Sequence, residues 1–229
     1  MDAWMRRAHA VASLAAALWL TGCGGGGSAT AVLAGGYPVH RAITATMFWA
    51  GEKPTKGTAN LSSAWDEKWA EHFGGSDDPK KAAAAFEPRE NRFYVALPYN
   101  DLAKGGRKAG AAKLLPWANQ KREWGKWESM CKDRWVRISR GQQVCYAQWE
   151  DVGPFETDDA AYVFGDGSVR PKNKENEGAG IDVSPAVSTF LGIGGMGKVD
   201  WQFVEKEDVP AGPWSEVVTG AERAAKAGR

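Results

Sequence analysis

Gln148-Trp149-Glu150-Asp151-Val152-Gly153-Pro154-Phe155 is the stretch whose reading decides the architecture. A run rich in aromatic and aliphatic residues ends in adjacent carboxylates and is broken at once by Gly-Pro. It therefore reads as a strand that delivers an acid to a sharp turn. Two duties fit Asp151 there: accepting hydrogen bonds from the turn, or acting as a carboxyl whose charge is tuned by backbone amides and solvent. Downstream, Gly180-Ile181-Asp182-Val183-Ser184-Pro185-Ala186 again sets an acid among apolar residues. In an extended segment Ile181 and Val183 face one way and Asp182 the other. Ser184 can cap a following helix, with Pro185 at its first position and Gly192 after its last turn. The dipole of that helix is expected to lower the pKa of Asp182 and keep it ionised; plain capping is the alternative duty.

Further strand candidates surround these two segments: Ala42 to Trp49, Arg92 to Leu97, Arg134 to Ile138, Val144 to Trp149 and Val199 to Val204. Each is short and rich in β-branched or aromatic residues. One earlier helix is expected, capped by Ser63, carrying Trp65, Trp69, His72 and Phe73 as a stripe and stopped by Gly74. Short strands with few helices describe a small β barrel or sandwich. The segment from Glu156 to Gly180 reads as an insertion in which Tyr162 to Gly167 is expected to form a hairpin and roof the acids. No repeat of solenoid length is present.

Composition narrows the function classes. The 229 residues are 43% hydrophobic and 25% charged, with 29 basic against 28 acidic side chains, so nothing steers the chain toward nucleic acid phosphates. Twelve Trp suit either a densely packed core or a surface on which sugar rings stack. Trp117, Trp124 and Trp127, in a charged connection, are the candidates for that surface, together with Trp149 beside Asp151.

The chain opens with Arg6 and Arg7, an apolar run to Leu20 and then Leu20-Thr21-Gly22-Cys23. Residues 1–22 are expected to be a secretory signal, too short to span a bilayer. The tetrad resembles the lipobox of bacterial lipoproteins, which implies that Cys23 is lipidated. Residues 23–36, rich in Gly, Ala and Ser, then form a tether; residues 37–215 form the folded body, and 216–229 a frayed tail. Gly24 after the anchor implies an outer-membrane location facing the periplasm in a cell with two membranes. In an exported chain the remaining pair, Cys131 and Cys145, is expected to form a disulfide. Glu156, Asp158, Asp159 and Asp166 lack calcium-loop spacing, so no metal is expected, and no cofactor. Gly192, Gly194 and Gly197 match G-x-G-x-x-G spacing, but they follow a helix and precede a strand, the reverse of dinucleotide binding.

Asp151-Val152-Gly153-Pro154-Phe155, Ile181-Asp182-Val183-Ser184 and Leu191-Gly192, with the strand Val199 to Val204, resemble the six-stranded double-psi β-barrel of rare lipoprotein A, and more distantly expansins and family 45 glycoside hydrolases. The resemblance covers Asp133 to Val204. It extends to Ala45-Thr46-Met47-Phe48-Trp49 and Tyr94-Val95-Ala96-Leu97-Pro98, which look like the first strand and a Leu-Pro turn. It implies a mainly β barrel with helical insertions and one short helix after the second Asp motif. It also implies a cell-envelope protein with peptidoglycan or another polysaccharide as partner, and catalytic duty for Asp151 with Asp182 beside it. At one point the pattern departs: Tyr94 stands where active members carry a His, and a phenol near pKa 10 is a poor proton shuttle at neutral pH. Asp101 is a substitute carboxylate, and Tyr94 and Asp101 are expected to line the groove. Loss of the His favours a non-cleaving glycan-binding module over a lytic transglycosylase or glycoside hydrolase using Asp151 as acid and base, and a monomer is expected.

Overall fold

The structure, a computed structural model, describes residues 36–52, 63–81, 87–120 and 123–220. The expected signal at 1–22, the lipidated Cys23 and all but the last residue of the tether lie outside the described residues. The body is mainly β, built on a closed barrel of six strands: β1 (His40–Met47), β2 (Tyr94–Leu97), β5 (Arg134–Arg140), β6 (Gln143–Val152), β7 (Ile181–Val183) and β8 (Met196–Val204), in the order β1-β7-β2-β6-β5-β8. Two of the six contacts are parallel, β1 with β7 and β2 with β6; the other four are antiparallel. A two-stranded ribbon, β3 (Leu102–Ala103) and β4 (Gly106–Arg107), stands outside the barrel.

Alternation fills the barrel. Ile43, Ala45, Val95, Leu97, Val136, Ile138, Ala147, Trp149, Ile181, Val183, Val199, Trp201 and Phe203 all enter one buried core. Each of the larger aliphatic and Phe side chains contributes about 1.5–3 kcal/mol through burial. The insertion after Phe155 supplies part of that core. In place of the expected hairpin it forms α3 (Ala160–Val163), the helix that follows α2 (Ala111–Leu114) in the chain; α3 buries Tyr162 and Val163, with Phe164 packed against the same core. Tyr162 Oη accepts a 2.8 Å bond from Trp201 Nε1. Gly167, at φ +84°, passes so close to β1 that a Cβ there would lie 2.4 Å from the Val39 carbonyl, so only glycine fits this turn.

A smaller apolar cluster lies outside the barrel. Ala50, Trp69, Phe73 and Tyr94 are buried together, with Phe48 against them. Helix α1 (Trp69–Phe73) carries two of these rings and ends as expected at Gly74, whose left-handed backbone returns its N–H to Ala70 and Glu71. The helix is shorter than its stripe implied. Ser63 does not cap it, and Trp65 precedes it. Helix α4 (Pro185–Phe190) matches expectation: Ser184 Oγ accepts from Val187 N at 3.2 Å, and Pro185 opens the helix.

The structure departs from expectation at the tail and at the cysteines. The tail expected from Glu216 is pinned through Thr219, which is buried and exchanges bonds with Asn91 and Gln148. The expected disulfide is absent: Cys131 and Cys145 are both free and buried. Their places in the ladder explain this. Cys145 faces Ile138, whereas Cys131 lies beyond the Arg134–Trp149 pair. Trp149, the partner of Arg134, is four strand residues or about 13 Å along β6 from Cys145, and Cys131 lies three residues before Arg134. Burial pushes the Cys145 thiol up to about 12 and that of Cys131 well above its ordinary value. We expect both thiols to react with a thiol reagent only after unfolding, and reductant to leave the unfolding midpoint unchanged; a reductant-sensitive midpoint would contradict the ladder.

His40 is buried and stacked on Trp201, with ring centroids 4.0 Å apart, and its Nδ1 has no partner among the described residues. Burial lowers its pKa from 6.5 to about 4. Between these two values the unfolded chain takes up a proton that the folded chain refuses, so stability falls as pH drops through the window. His40→Phe is expected to remove about 2 kcal/mol of that acid sensitivity between pH 7 and pH 4.5, measured by urea unfolding across pH.

Candidate active site on the outer face of β2

The site arises from register. Ala96 on β2 is paired on one side with Asp182 of β7 and on the other with Asp151 of β6, while Thr46 of β1 is paired with Asp182. Registered partners share a face, so Thr46, Asp182, Ala96 and Asp151 form one row across four adjacent strands. Their neighbours Val95, Val183 and Trp149 point into the core, so the row lies on the barrel's outer face. The two Asp Cα atoms are on the order of 10 Å apart, two strand spacings. Ala96, itself buried, stands between them.

A β-bulge delivers Asp151 to this row. Val95 faces Trp149, but Ala96 faces Asp151, so Glu150 is the extra residue. The freed carbonyls are satisfied: Ser63 Oγ donates to Glu150 O at 3.0 Å, and Trp149 Nε1 to Asp151 O at 2.7 Å. Glu150 itself turns into a buried ion pair with Lys132, whose side chain is only 11% exposed. Burial works against the charge on Lys132, but the Glu150 and Asp133 carboxylates keep it protonated.

Both acids are tuned away from ordinary carboxylates. Asp151 Oδ1 accepts 2.7 Å bonds from the backbone N–H groups of Ala64 and Val152. Burial nevertheless raises its pKa to about 6. Asp182 accepts a short bond from Thr46 Oγ1, yet burial, reinforced by Asp151 and Glu52, raises it to about 7. This reverses the expectation that the helix dipole would lower Asp182. Helix α4 is only six residues long, and the dipole at its start is outweighed by desolvation and two neighbouring carboxylates. Gly153 closes the row from above: a Cβ there would lie 3.4 Å from Asp182 Oδ2.

The remaining expected site residues divide sharply. Tyr94 is fully buried in the small outer cluster, where its hydroxyl donates to Asp77 at 2.8 Å and accepts from Ala50 N, so it does not line the groove. Burial drives its pKa further up, and burial likewise raises that of Asp77 to about 6. Asp101 is fully buried, accepting from Ser129 Oγ at 2.6 Å and Met130 N at 2.7 Å; it clamps two loops and is no substitute acid. Trp149 and Trp117 are core residues, the latter donating to Met130 O. Trp124 is half-buried, and only Trp127, 59% exposed beneath Lys126, keeps an open ring. Sequence reasoning missed Thr46, Ala96 and Trp65. The hydroxyl and the methyl carry no motif of their own, and Trp65 had been assigned to the helical stripe. Among the described residues no group of three or more His, Cys, Asp or Glu is placed to hold a metal ion. No protein-family model and no curated protein matches the chain.

A raised folded-state carboxyl pKa favours folding below the unfolded value near 4, and that benefit is lost as pH rises through the folded value near 7. Asp182→Asn keeps an oxygen for the Thr46 hydroxyl and removes the titration. The variant is therefore expected to gain about 4 kcal/mol over the parent as pH rises from 4 to 8, measured by chemical unfolding at each pH. A constant offset across that range would mean that Asp182 titrates normally.

Proposed function

We propose that the outer face carrying Asp151 and Asp182 is a carbohydrate site, and that the protein is a cell-envelope module binding a polysaccharide of the peptidoglycan class. The observation carrying the reading is that Asp151 and Asp182 are registered on the same Ala96 with both carboxyls raised toward neutrality. Holding two desolvated acids side by side works against stability, and such pairs are characteristic of sites selected for binding or chemistry. Carboxylates are suited to accept hydrogen bonds from sugar hydroxyls. In the same reading the six strands form a double-psi barrel like that of rare lipoprotein A, and Cys23 carries the lipid that holds the body at the envelope. No helix among the described residues is long and apolar enough to cross a membrane.

Cleavage is the second reading, favoured by one specific observation. A carboxyl near 6 at Asp151 is populated in both protonation states at neutral pH, which is what protonating a glycosidic oxygen and then accepting a sugar hydroxyl proton requires. Against it stands Tyr94, sealed in its apolar cluster and unable to serve in place of a His. Binding is therefore preferred. The full-length protein is expected to pellet with purified sacculi and to release no fragments, while Asp151→Asn and Asp182→Asn weaken pelleting several-fold. Release of anhydro-ended muropeptides that vanishes in Asp151→Asn would establish the lytic transglycosylase instead. Neither pelleting nor products would dismiss the glycan reading altogether.

A further inference from the structure

Phe155 is the aromatic residue that the turn above the acids leaves in solvent. It is 52% exposed and adopts φ +57°, the left-handed region that a non-glycine residue enters at a cost. Five non-glycine residues among those described share such backbone, and Phe155 is the one aromatic among them. A turn needing only a left-handed residue would be better served by glycine or asparagine. The backbone of this turn lies at the acids. The point where Gly153 would carry a Cβ is 3.4 Å from Asp182 Oδ2 and 3.9 Å from the Phe155 backbone N. Strain and solvent exposure of a large apolar group thus coincide within one turn of Asp182.

Trp65 is tied in the same way to Asp151. The residue before it, Ala64, donates its N–H to Asp151 Oδ1. The Trp65 indole Nε1 donates to Asn100 Oδ1 at 2.9 Å, and its ring meets Trp149 edge-on at 5.5 Å. These contacts fix the orientation of a half-buried indole whose own hydrogen-bond donor is already satisfied. Such a ring loses little freedom when a flat partner covers it. Asn100 is in turn held at 3.0 Å to Thr157 O, two residues beyond Phe155, so both aromatic residues belong to one braced rim.

We propose that Phe155 and Trp65 are the sugar-stacking residues of the Asp151–Asp182 groove, receiving the apolar C–H face of a pyranose ring while the carboxyls take its hydroxyls. This rests on the carbohydrate reading above and deepens it: the ligand is a pyranoside with a flat apolar face, such as a β-1,4-linked N-acetylhexosamine chain. Stacking of this kind is selective for ring shape and insensitive to the charge of the acids.

The test uses the full-length protein with two probes, purified sacculi in pelleting assays and chitohexaose in calorimetric titration. Phe155→Ala and Trp65→Ala are expected to weaken binding about three- to tenfold each. Phe155→Tyr, which keeps the ring, retains it, and the midpoint of Phe155→Ala stays at or above the parent value. Phe155→Gly, suited to the left-handed backbone, is a second truncation that folds if alanine does not. Parental binding by Phe155→Ala, Phe155→Gly and Trp65→Ala, alongside weakened binding by Asp182→Asn, would overturn the stacking assignment and leave the glycan reading standing. Failure of the parent protein itself to bind either probe, with no products released, would remove both.

Discussion

The site depends on the pairing of one short strand. β2 is four residues long, is parallel to β6 and antiparallel to β7, and contributes to the groove a residue with almost no side chain. Parallel and antiparallel ladders space their hydrogen bonds differently, so a strand flanked by one of each has its register fixed from both sides. A slip of one residue would exchange Tyr94 and Ala96 with the core residues Val95 and Leu97, turning four apolar or aromatic contacts inside out. The hydrophobic core therefore holds the acids in place, although neither acid belongs to it.

Around that register the protein uses polar groups with strict division of labour. Thr46, Ser63, Ala64 and Val152 donate into the bulge and the carboxyls, and Lys132 compensates Glu150 immediately behind Asp151. The acids are desolvated yet not orphaned. This keeps their charge close to balance near neutral pH without leaving either one to relax into the bulk. Burying them fully would silence them, and full exposure would return them to ordinary carboxylates.

Much of the barrel was legible in the chain. Five of its six strands were marked by β-branched and aromatic runs, and Ser184-Pro185 marked the start of α4 because capping chemistry is local. The sixth strand, β7, is only three residues long and reads as strand through alternation alone, with Asp182 at its centre. What stayed hidden was nonlocal. Nothing near Tyr94 announces that an outlying cluster with Trp69 and Phe73 will bury it, and nothing near Asp101 announces Ser129 and Met130 as its partners. Trp117 and Trp149 illustrate the same limit: a charged sequence neighbourhood says little about an indole whose contacts come from other strands. The cysteines failed for the same reason, since pairing by elimination ignores the ladder that separates them.

The order of the strands also has a bearing on how the molecule is made. Residues 46, 96, 151 and 182 meet through contacts that span most of the chain, while among the described residues the only barrel strands adjacent both in sequence and in space are β5 and β6. Closing such distant loops is slow compared with zipping a local hairpin. A nascent chain can thus form the β5–β6 hairpin early, but it must complete β8 before the ring shuts and β1 gains its second neighbour.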